Sequence, residues 1–240
     1  MKYAYYPGCS LTGSARKLDK AVRHIFQKAG HELVDIPDWN CCGAFEYGDR
    51  KELMGFSEAN LRKAKTLFGG PGEAAQKRED GRAEVLAPCP ACYRNLKEAS
   101  TENRFKLYHP LELLNDAFLA SIPAQRDLKG QIFTPYYGCV LMRPQDTAIG
   151  DKEAMERIIT RLGGEIEGRK IRDRCCGGNQ FFINRWATEK LSKIILEHAK
   201  GAIVVFCPLC HMALTSFSKN QKILYLTDLL LYVMGERRTL

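Results

Sequence analysis

All ten cysteines of this 240-residue chain fall into two sets with the same internal order: a single cysteine, an adjacent pair and then a Cys-x-x-Cys pair. The first set is Cys9, Cys41, Cys42, Cys89 and Cys92, and the second is Cys139, Cys175, Cys176, Cys207 and Cys210. A chain this long can bury a hydrophobic core without disulfide staples. Regularly spaced cysteines in such a chain therefore indicate metal binding or redox chemistry.

The adjacent pairs, Cys41-Cys42 and Cys175-Cys176, argue for an unusual metal group. A tetrahedral zinc ion takes four ligands, and an ordinary cubane iron–sulfur cluster is also held by four thiolates. Either group would leave one of the five cysteines in each set idle. An adjacent pair is better suited to a cluster in which one sulfur bridges two metals while its neighbour binds one.

The sequence around the cysteines repeats along with them. YAYYPGCS near the start corresponds to FTPYYGCV, NCCGA corresponds to RCCGG, and CPACYRNL corresponds to CPLCHMAL. Such self-similarity predicts a duplicated module with pseudo-twofold symmetry between the halves. We place the first module at 1–125 and the second at 126–240, with the polar stretch 121–131 as the linker.

Each module shows the alternating pattern of an α/β unit. Short apolar runs that end in turn residues predict strands, and helical spacing that stops at glycine predicts helices. The predicted strands cover 3–9, 83–87, 131–139 and 202–206, and the predicted helices cover 18–29, 59–68, 155–162 and 187–200. We therefore expect an α/β fold of two Rossmann-like β-α-β modules, each with a parallel sheet covered on both faces.

The order of these elements predicts where the thiols lie. Cys9, Cys89, Cys139 and Cys207 each come at the end of a predicted strand. In parallel α/β sheets, ligands gather beyond the carboxyl ends of the strands. We therefore expect the five thiols of each set to converge into a metal cluster at that edge, near the module interface.

The rest of the composition narrows the class of protein. The formal charge of +8 comes from Lys and Arg spread along the chain, which indicates a solvated surface rather than nucleic-acid binding. No apolar run reaches the roughly 20 residues of a membrane-spanning helix, and the first residues lack the apolar core of a signal peptide. We expect a cytoplasmic protein without a transmembrane segment. No GxGxxG or P-loop stands at a strand-to-helix junction, so nucleotide and flavin cofactors are expected on partner proteins.

The complete cysteine pattern, with its YYPGC start and CPLCH end, resembles the duplicated CCG domain found in the B subunit of heterodisulfide reductase. This resemblance covers nearly the whole chain. It implies two non-cubane [4Fe-4S] clusters, one held by each cysteine set. It further implies that the paired clusters lie at the module interface and split a disulfide by delivering electrons one at a time.

The same resemblance implies a function and partners. The chain is expected to act as a heterodisulfide reductase-like oxidoreductase that reduces or forms a disulfide or related sulfur substrate within a complex. A ferredoxin-like iron–sulfur subunit of the C type would supply electrons, and a flavin-bearing subunit of the A type would lie further upstream. The alternative is an electron-transfer subunit of a quinone-linked, lactate- or glycolate-linked or sulfur-oxidising complex, with no substrate bound at the clusters. A structural zinc protein is a third alternative.

The two halves differ in one spacing. Cys42 and Cys89 are separated by 46 residues, whereas Cys176 and Cys207 are separated by 30. The excess matches the polar stretch 69–82, which is typical of a surface loop that leaves the ligands undisturbed. The difference also leaves open that one half carries zinc or an ordinary cluster, since geometry rather than ligand type decides between them.

His211 is our candidate catalytic residue. It directly follows Cys210, and its usual pKa range suits a proton donor to a departing thiolate. The alternative is a histidine near a helix start that faces solvent or bonds to the backbone. His109 is expected in a strand-to-helix turn.

Glycines and tyrosines flank the cysteines. Gly43, Gly177 and Gly178 follow the adjacent pairs, where a bulky cluster needs a close approach of the backbone. Tyr6 and Tyr136 are expected to pack in the core or around the clusters.

Overall fold

The computed structural model describes residues 1–45, 48–68, 82–100 and 105–240. They form two parallel four-stranded sheets, which confirms the predicted α/β class. The strands of the first sheet are β1 (Lys2–Tyr5), β2 (Glu32–Asp35), β3 (Ala83–Leu86) and β4 (Phe105–Tyr108). Those of the second are β5 (Ile132–Pro135), β6 (Glu165–Ile166), β7 (Ala202–Val205) and β8 (Ile223–Tyr225). Both sheets have the same order, β2-β1-β3-β4 and β6-β5-β7-β8, as a duplication requires.

Helices cover these sheets in both halves. The helices of the first half are α1 (Gly8–Thr12), α2 (Arg16–Lys28), α3 (Arg50–Thr66), α4 (Pro90–Ala99), α5 (Pro110–Leu113) and α6 (Asp116–Ser121). Those of the second half are α7 (Cys139–Met142), α8 (Ala154–Arg161), α9 (Arg185–His198), α10 (Pro208–Phe217) and α11 (Leu226–Val233), with short 3-10 turns at Arg169–Ile171 and Gly178–Gln180. No helix within the described residues combines the length and apolar character needed to cross a membrane.

The core lies between the sheets and their helices. In β3 all four residues are buried, the polar Glu84 among them, so neither face of the strand meets solvent, as expected of a parallel strand covered on both sides. In α2 the buried side chains Leu18, Val22 and Ile25 recur at the spacing of one helix face. Met155, Ile158 and Ile159 do the same in α8, so the helical periodicity of the sequence is confirmed in both halves.

Two predicted boundaries are wrong in ways that matter for the thiols. The strand predicted over 3–9 ends at Tyr5, because Gly8 has a φ of 65° and turns the chain into α1. Cys9 therefore lies in the first helical turn, and Cys139 likewise begins α7. The helix predicted from residue 59 begins at Arg50, where the Asp49 carboxylate accepts a hydrogen bond from an early backbone N–H.

Each module contains more strands than the two predicted for it. A fourth strand, β4 or β8, pairs in parallel beside the strand that leads to the Cys-x-x-Cys. The predicted surface loop over 69–82 lies outside the described residues except for Arg82.

The two halves pack on each other reciprocally. Helix α1 of the first half contacts α10 of the second, and α4 of the first half contacts α7 of the second. Helix α11 packs on α2 in the same way that α5 packs on α8. The linker packs against the end of α11, since the backbone N–H groups of Gln125 and Arg126 both donate to the Val233 carbonyl. The helices that carry cysteines therefore lie at the contact between the halves.

Candidate metal centre

The predicted edge of each sheet is where the cysteines gather. In the first half Cys9 lies in α1, which follows β1, and Cys89 directly precedes α4, which follows β3. In the second half Cys139 is the first residue of α7, and Cys207 directly precedes α10. The adjacent pairs lie between the second strand and the long helix of each half. All ten cysteines are free thiols.

Sulfur atoms from distant parts of the chain are in contact. The Sγ atoms of Cys42 and Cys92 are 3.3 Å apart, and those of Cys176 and Cys210 are 3.4 Å apart. Hydrogen bonds link the remaining thiols of the first set, Cys9 to Cys41 and Cys89 to Cys92. Together with the adjacency of Cys41 and Cys42, these contacts connect all five cysteines of the first half. In the second half, matching contacts join Cys139 to Cys175 and Cys210 to Cys207.

Each Cys-x-x-Cys lies at the beginning of a helix. Proline occupies the first helical position after Cys89 and after Cys207, where its missing N–H is not needed. A hydrogen bond with the Cys92 thiol lowers the pKa of Cys89; the backbone N–H groups of Cys92 and Ala91 lower it further, against the effect of burial. The helix start thus favours the thiolate form that binds metal.

The adjacent pair of the second half is held by backbone N–H groups. Gly177 N–H donates to Cys175 Sγ, and Gly178 N–H donates to Cys176 Sγ, each at 3.3 Å. A hydrogen bond with the Cys139 thiol lowers the pKa of Cys175 to about 6, with the Gly177 N–H and the Arg143 charge acting in the same direction. Such N–H···S bonds stabilise a thiolate and tune the group it binds.

This pKa gives a test on metal-free, reduced protein. Iodoacetamide is expected to alkylate Cys175 at pH 7 at least about ten times faster than Cys9, because only the thiolate is a nucleophile. Both thiols are exposed, but the pKa of Cys175 is lowered to about 6, whereas a hydrogen bond with Cys41 raises the pKa of Cys9. The Cys175 rate should fall as the pH drops through 6. Peptide mapping after a short pulse measures both rates, and equal rates at pH 7 would contradict the assignment.

Buried tyrosines position the adjacent pairs from one side. Tyr6 Oη donates to the Asn40 carbonyl at 2.6 Å, and Tyr136 Oη donates to the Arg174 carbonyl at 2.6 Å. Each accepting residue directly precedes an adjacent cysteine pair. Burial, with smaller contributions from the nearby thiols, raises the pKa of both tyrosines, so their hydroxyls stay protonated and remain donors. The predicted packing role of these tyrosines thus includes a specific hydrogen bond.

Serines on the long helices position the same pairs from the other side, and sequence reasoning missed them. Ser57 Oγ donates to the Cys42 carbonyl at 3.3 Å, and Ser192 Oγ donates to the Cys176 carbonyl at 3.1 Å. Both serines are fully buried. Asn95 Nδ2 adds a second donor to the Cys42 carbonyl at 2.8 Å. The available signal was a polar residue on the apolar face of each helix.

These hydrogen bonds predict that equivalent serine substitutions in the two halves lower the free energy of unfolding by different amounts. Ser192→Ala is expected to lower the free energy of unfolding by about 1–3 kcal/mol, because it removes a donor to a buried carbonyl. Ser57→Ala is the matched control and should cost less than about 1 kcal/mol, because Asn95 still donates to the Cys42 carbonyl. Denaturant unfolding of the metal-free proteins measures both. A larger loss for Ser57→Ala would show that these serines do not hold the pairs as described.

Glycines leave space beside the sulfur atoms. A Cβ at Gly8 would lie 2.9 Å from Cys92 Sγ, and a Cβ at Gly138 would lie 3.0 Å from Cys210 Sγ. Gly43 and Gly177 have φ values of 75° and 74°, and a Cβ at either would meet the following long helix at 2.9 Å. The absence of a Cβ at Gly43 and Gly177 therefore lets the long helix of each half pack closely against the adjacent pair.

The two histidines singled out in the sequence lie near the interface. His109 lies between β4 and α5, in a strand-to-helix turn as predicted; it is fully buried, and its Nε2 lies 3.0 Å from the Pro88 carbonyl. Its ring packs edge-on against Phe206 of the other half, with centroids 4.7 Å apart. His211 is half-buried and stacks on Tyr225, with ring centroids 4.2 Å apart. Burial is the main cause that lowers the pKa of His211.

The residues present fit an iron–sulfur group. Each half brings five sulfur donors to one sheet edge, with contacts between pairs of them, and it offers N–H groups or a helix start that favours thiolate. A glycine beside one sulfur of each half leaves space that a Cβ would fill. Sulfur-only donor sets select iron–sulfur clusters or zinc among the common metals. Within the described ranges, no three or more His, Cys, Asp or Glu side chains are arranged around a single metal ion.

Known proteins with similar sequences are subunits of reductases. The chain is 24% identical to the 8-methylmenaquinol:fumarate reductase membrane anchor subunit of Wolinella succinogenes, over 92% of this chain and 85% of that protein. It is 23% identical to the B subunit of the ferredoxin/F420H2-dependent CoB-CoM heterodisulfide reductase of Methanosarcina acetivorans, over 88% of this chain and 78% of that protein.

A solved structure and a family model complete the comparison. The crystal structure of a hypothetical protein from Helicobacter pylori superposes with a TM-score of 0.71 over 98% of this chain at 12% identity, and the chain spans about half of that protein (49%). This likeness concerns the fold alone. The model of the CCG family, described as a cysteine-rich domain, matches residues 3–97 and 133–215, which contain all ten cysteines. The chain therefore belongs to the CCG cysteine-rich domain family.

Proposed function

We propose that the chain is the iron–sulfur redox subunit of a heterodisulfide reductase-like complex that reduces, or in the reverse direction forms, a disulfide or related sulfur substrate. The observation that supports this most is the convergence of five thiols in each half at the contact between the halves. Two one-electron groups close together can supply the two electrons that a disulfide takes up, and the repeat provides two equivalent sites.

The arrangement of the halves supports this proposal. We propose modules at 1–125 and 126–240 related by a pseudo-twofold axis, because the contacts of α1 with α10 and of α4 with α7 are reciprocal. Tyr225 lies near cysteines of both modules. Burial is the main cause that raises its pKa, and the thiols of Cys89 from the first module and of Cys207 and Cys210 from the second contribute. The two thiol sets therefore face a common region.

The cofactors proposed are two non-cubane [4Fe-4S] clusters, one for each module. The first would be held by Cys9, Cys41, Cys42, Cys89 and Cys92, and the second by Cys139, Cys175, Cys176, Cys207 and Cys210. Such clusters supply electrons one at a time. Zinc in one half is the alternative outcome, and it would leave a single redox group.

The proposed reaction is balanced as one disulfide, two electrons and two protons giving two thiols. The chain's own residues would bind the substrate and hold a proton, and His211 is our candidate for the residue that holds the proton. Burial lowers its pKa and favours the neutral ring, which takes up a proton when thiols form a disulfide and, once protonated, returns it in the reverse direction.

The electrons would come from or go to partner proteins in the complex. We propose that the direct partner is a ferredoxin-like iron–sulfur subunit and that a flavin-bearing subunit lies further upstream, since the similar proteins are subunits of reductases. Phe182, Ile183 and Trp186 follow the second adjacent pair and are 77%, 74% and 64% exposed, which favours a partner surface there. The ten free thiols favour a reducing compartment, so we also propose a cytoplasmic location.

The alternative function is electron transfer without a sulfur substrate, which the similarity to a fumarate reductase subunit favours. The two functions are separated by titrating dithionite-reduced, iron-loaded protein with small disulfides without oxygen. The proposal predicts that the protein is reoxidised with two electrons consumed and two thiols formed for each disulfide. If disulfides leave the protein reduced while a quinone or oxidised ferredoxin reoxidises it, electron transfer replaces the proposal.

A further inference from the structure

An exposed apolar patch lies at the beginning of α9, a few residues after the second adjacent cysteine pair. It consists of Phe182, Ile183 and Trp186, which are 77%, 74% and 64% exposed. Thr188 holds the start of this helix against the pair, since its Oγ1 donates to the Gly177 carbonyl at 2.9 Å. The patch is therefore fixed beside the metal centre of the second module.

The first module has different residues at two of these three positions. Counted from the residue that caps each long helix, Gly48 stands where the second module has Ile183, and Lys51 stands where it has Trp186. The same count aligns the two buried serines that bond the adjacent pairs. Because the repeat keeps the residues that position the thiols but not those of the patch, the patch indicates a role that belongs to the second module.

Two cationic residues flank the patch on α9 itself. Lys190 Nζ lies over the Trp186 ring, 3.9 Å from its centroid, and the Arg185 guanidinium lies over a phenylalanine ring next to the patch. The acidic residue between them, Glu189, is paired with Lys193 at 2.6 Å. Among the residues that the structure describes, neither Arg185 nor Lys190 forms an ion pair. Their charges are therefore available to an acidic group outside the chain.

Two arginines add positive charge on the side of the adjacent pair. Arg174 directly precedes the exposed Cys175. Arg143 Nη2 donates to the Asp173 carbonyl at 2.6 Å, so its guanidinium lies on the segment that leads to the pair. Both arginines are exposed, and neither is ion-paired within the described part of the chain. The first module has an asparagine and a glycine at the equivalent positions, so this positive charge belongs to the second module.

This combination indicates the chemistry of a partner. Protein interfaces are typically aromatic at their centre and polar at their rim, and Trp is among the residues that contribute most to binding. A cationic rim attracts and orients a partner whose surface is acidic. Because Cys175 is exposed next to Arg174, a redox group in a protein docked here would lie close to the metal centre of the second module.

We propose that an acidic electron-transfer protein docks on this patch and exchanges electrons directly with the second module, whereas the first module exchanges them only through the second. This inference rests on the proposed function, since it names the docking surface and the electron route for the partner of that function. Each encounter transfers one electron, so the partner is oxidised by one electron as iron of the second module is reduced by one. The reverse direction exchanges these roles.

Trp186→Glu tests the docking surface, because it removes the aromatic centre and adds the charge that an acidic partner carries. Lys51→Glu is the matched control, since it places glutamate at the equivalent position of the first module and changes the net charge by more. Both residues are exposed, so neither change disturbs the core. The probe is a plant-type [2Fe-2S] ferredoxin, a small acidic one-electron carrier.

Two measurements follow the probe at low ionic strength, where charge attraction is least screened. Stopped-flow absorbance gives the rate at which reduced ferredoxin reduces the iron-loaded protein, and calorimetric titration with oxidised ferredoxin gives the Kd. Trp186→Glu is expected to lower the rate constant and raise the Kd at least about tenfold, whereas Lys51→Glu should change either by less than about twofold. Dithionite, which needs no docking surface, should reduce all three proteins at the same rate.

Variants that lack one metal centre test the electron route. Cys42→Ala is expected to retain the iron of the second module, and Cys176→Ala that of the first. Reduced ferredoxin should therefore reduce the iron left in Cys42→Ala at least about ten times faster than the iron left in Cys176→Ala, although dithionite reduces both. Equal ferredoxin rates in these two variants would contradict entry through the second module.

The remaining outcomes separate this inference from the proposed function. Equal rates and Kd values in the unsubstituted protein and in both glutamate variants, or no ferredoxin binding at all, would overturn the docking surface, and the disulfide titration would still decide the proposed function. The expected ferredoxin results without reoxidation by disulfides would support the surface and contradict the sulfur substrate. If Trp186→Glu instead abolishes binding to anionic phospholipid vesicles, or dimerisation measured by sedimentation, a membrane or a second copy replaces the acidic partner.

Discussion

Alanine at Cys176 is expected to halve the iron content of the protein, from about eight to about four atoms for each chain. Cys176 is the second cysteine of its adjacent pair; it is buried, it contacts Cys210, and it receives the Gly178 N–H. The proposed cluster would use all five cysteines of its set, so none of the other four thiols is spare to replace Cys176. The loss should therefore remove the whole second group rather than one iron.

The equivalent change in the first module makes the experiment specific. Cys42→Ala should halve the iron in the same way but leave a different residual spectrum, and the double variant should bind almost none. Ser10→Ala, one residue from Cys9, is the matched control and should keep full occupancy. Iron, sulfide and electron paramagnetic resonance spectra measure these outcomes. Full iron in Cys176→Ala would mean that the adjacent pair does not hold a cluster.

The second large effect is expected at Gly138, a residue that has no side chain to bind metal. In Gly138→Ala the new Cβ would lie 3.0 Å from Cys210 Sγ at a φ of 73°, so the substitution moves a ligand as well as straining the backbone. We expect this variant to lose the iron of the second module. Gly130→Ala is the matched control, because it has a φ of 72° and nothing within 4 Å of the new Cβ.

The control separates backbone strain from displacement of the thiol. Both variants should lose about 1–3 kcal/mol of unfolding free energy in the metal-free state, the usual cost of a left-handed non-glycine residue. Only Gly138→Ala should lose iron. If both variants keep the same iron, the space beside Cys210 is not part of the metal centre.

The cysteine sets and the sheet edge could be predicted from the sequence. Thiolate binding to metal requires cysteine at each of these positions, and the repeat shows the same five positions twice. The cysteine pattern is therefore visible even though the two modules differ elsewhere. The parallel sheets could be predicted from the alternation of strands and helices in each half. The predicted end of β1 is wrong because the chain turns at Gly8, which has a φ of 65° and lies against Cys92, a contact that no local pattern contains.

Other parts of the site depend on tertiary packing. Ser192 lies 16 residues after Cys176, and its bond to that cysteine's carbonyl exists only because α9 returns to the adjacent pair. The repeat does align Lys51 with Trp186, so the difference between them is visible in the sequence. That the exposed Trp186 lies beside the second adjacent pair follows only from how α9 packs against Gly177.

The most direct test is the iron, acid-labile sulfide and zinc content of protein purified without oxygen. The proposed function predicts about eight iron and eight sulfide for each chain and no zinc, the content of two four-iron clusters. About four iron with one zinc would mean that one module is structural, and the two-cluster reaction would have to be abandoned. Zinc alone would contradict the proposed redox function altogether.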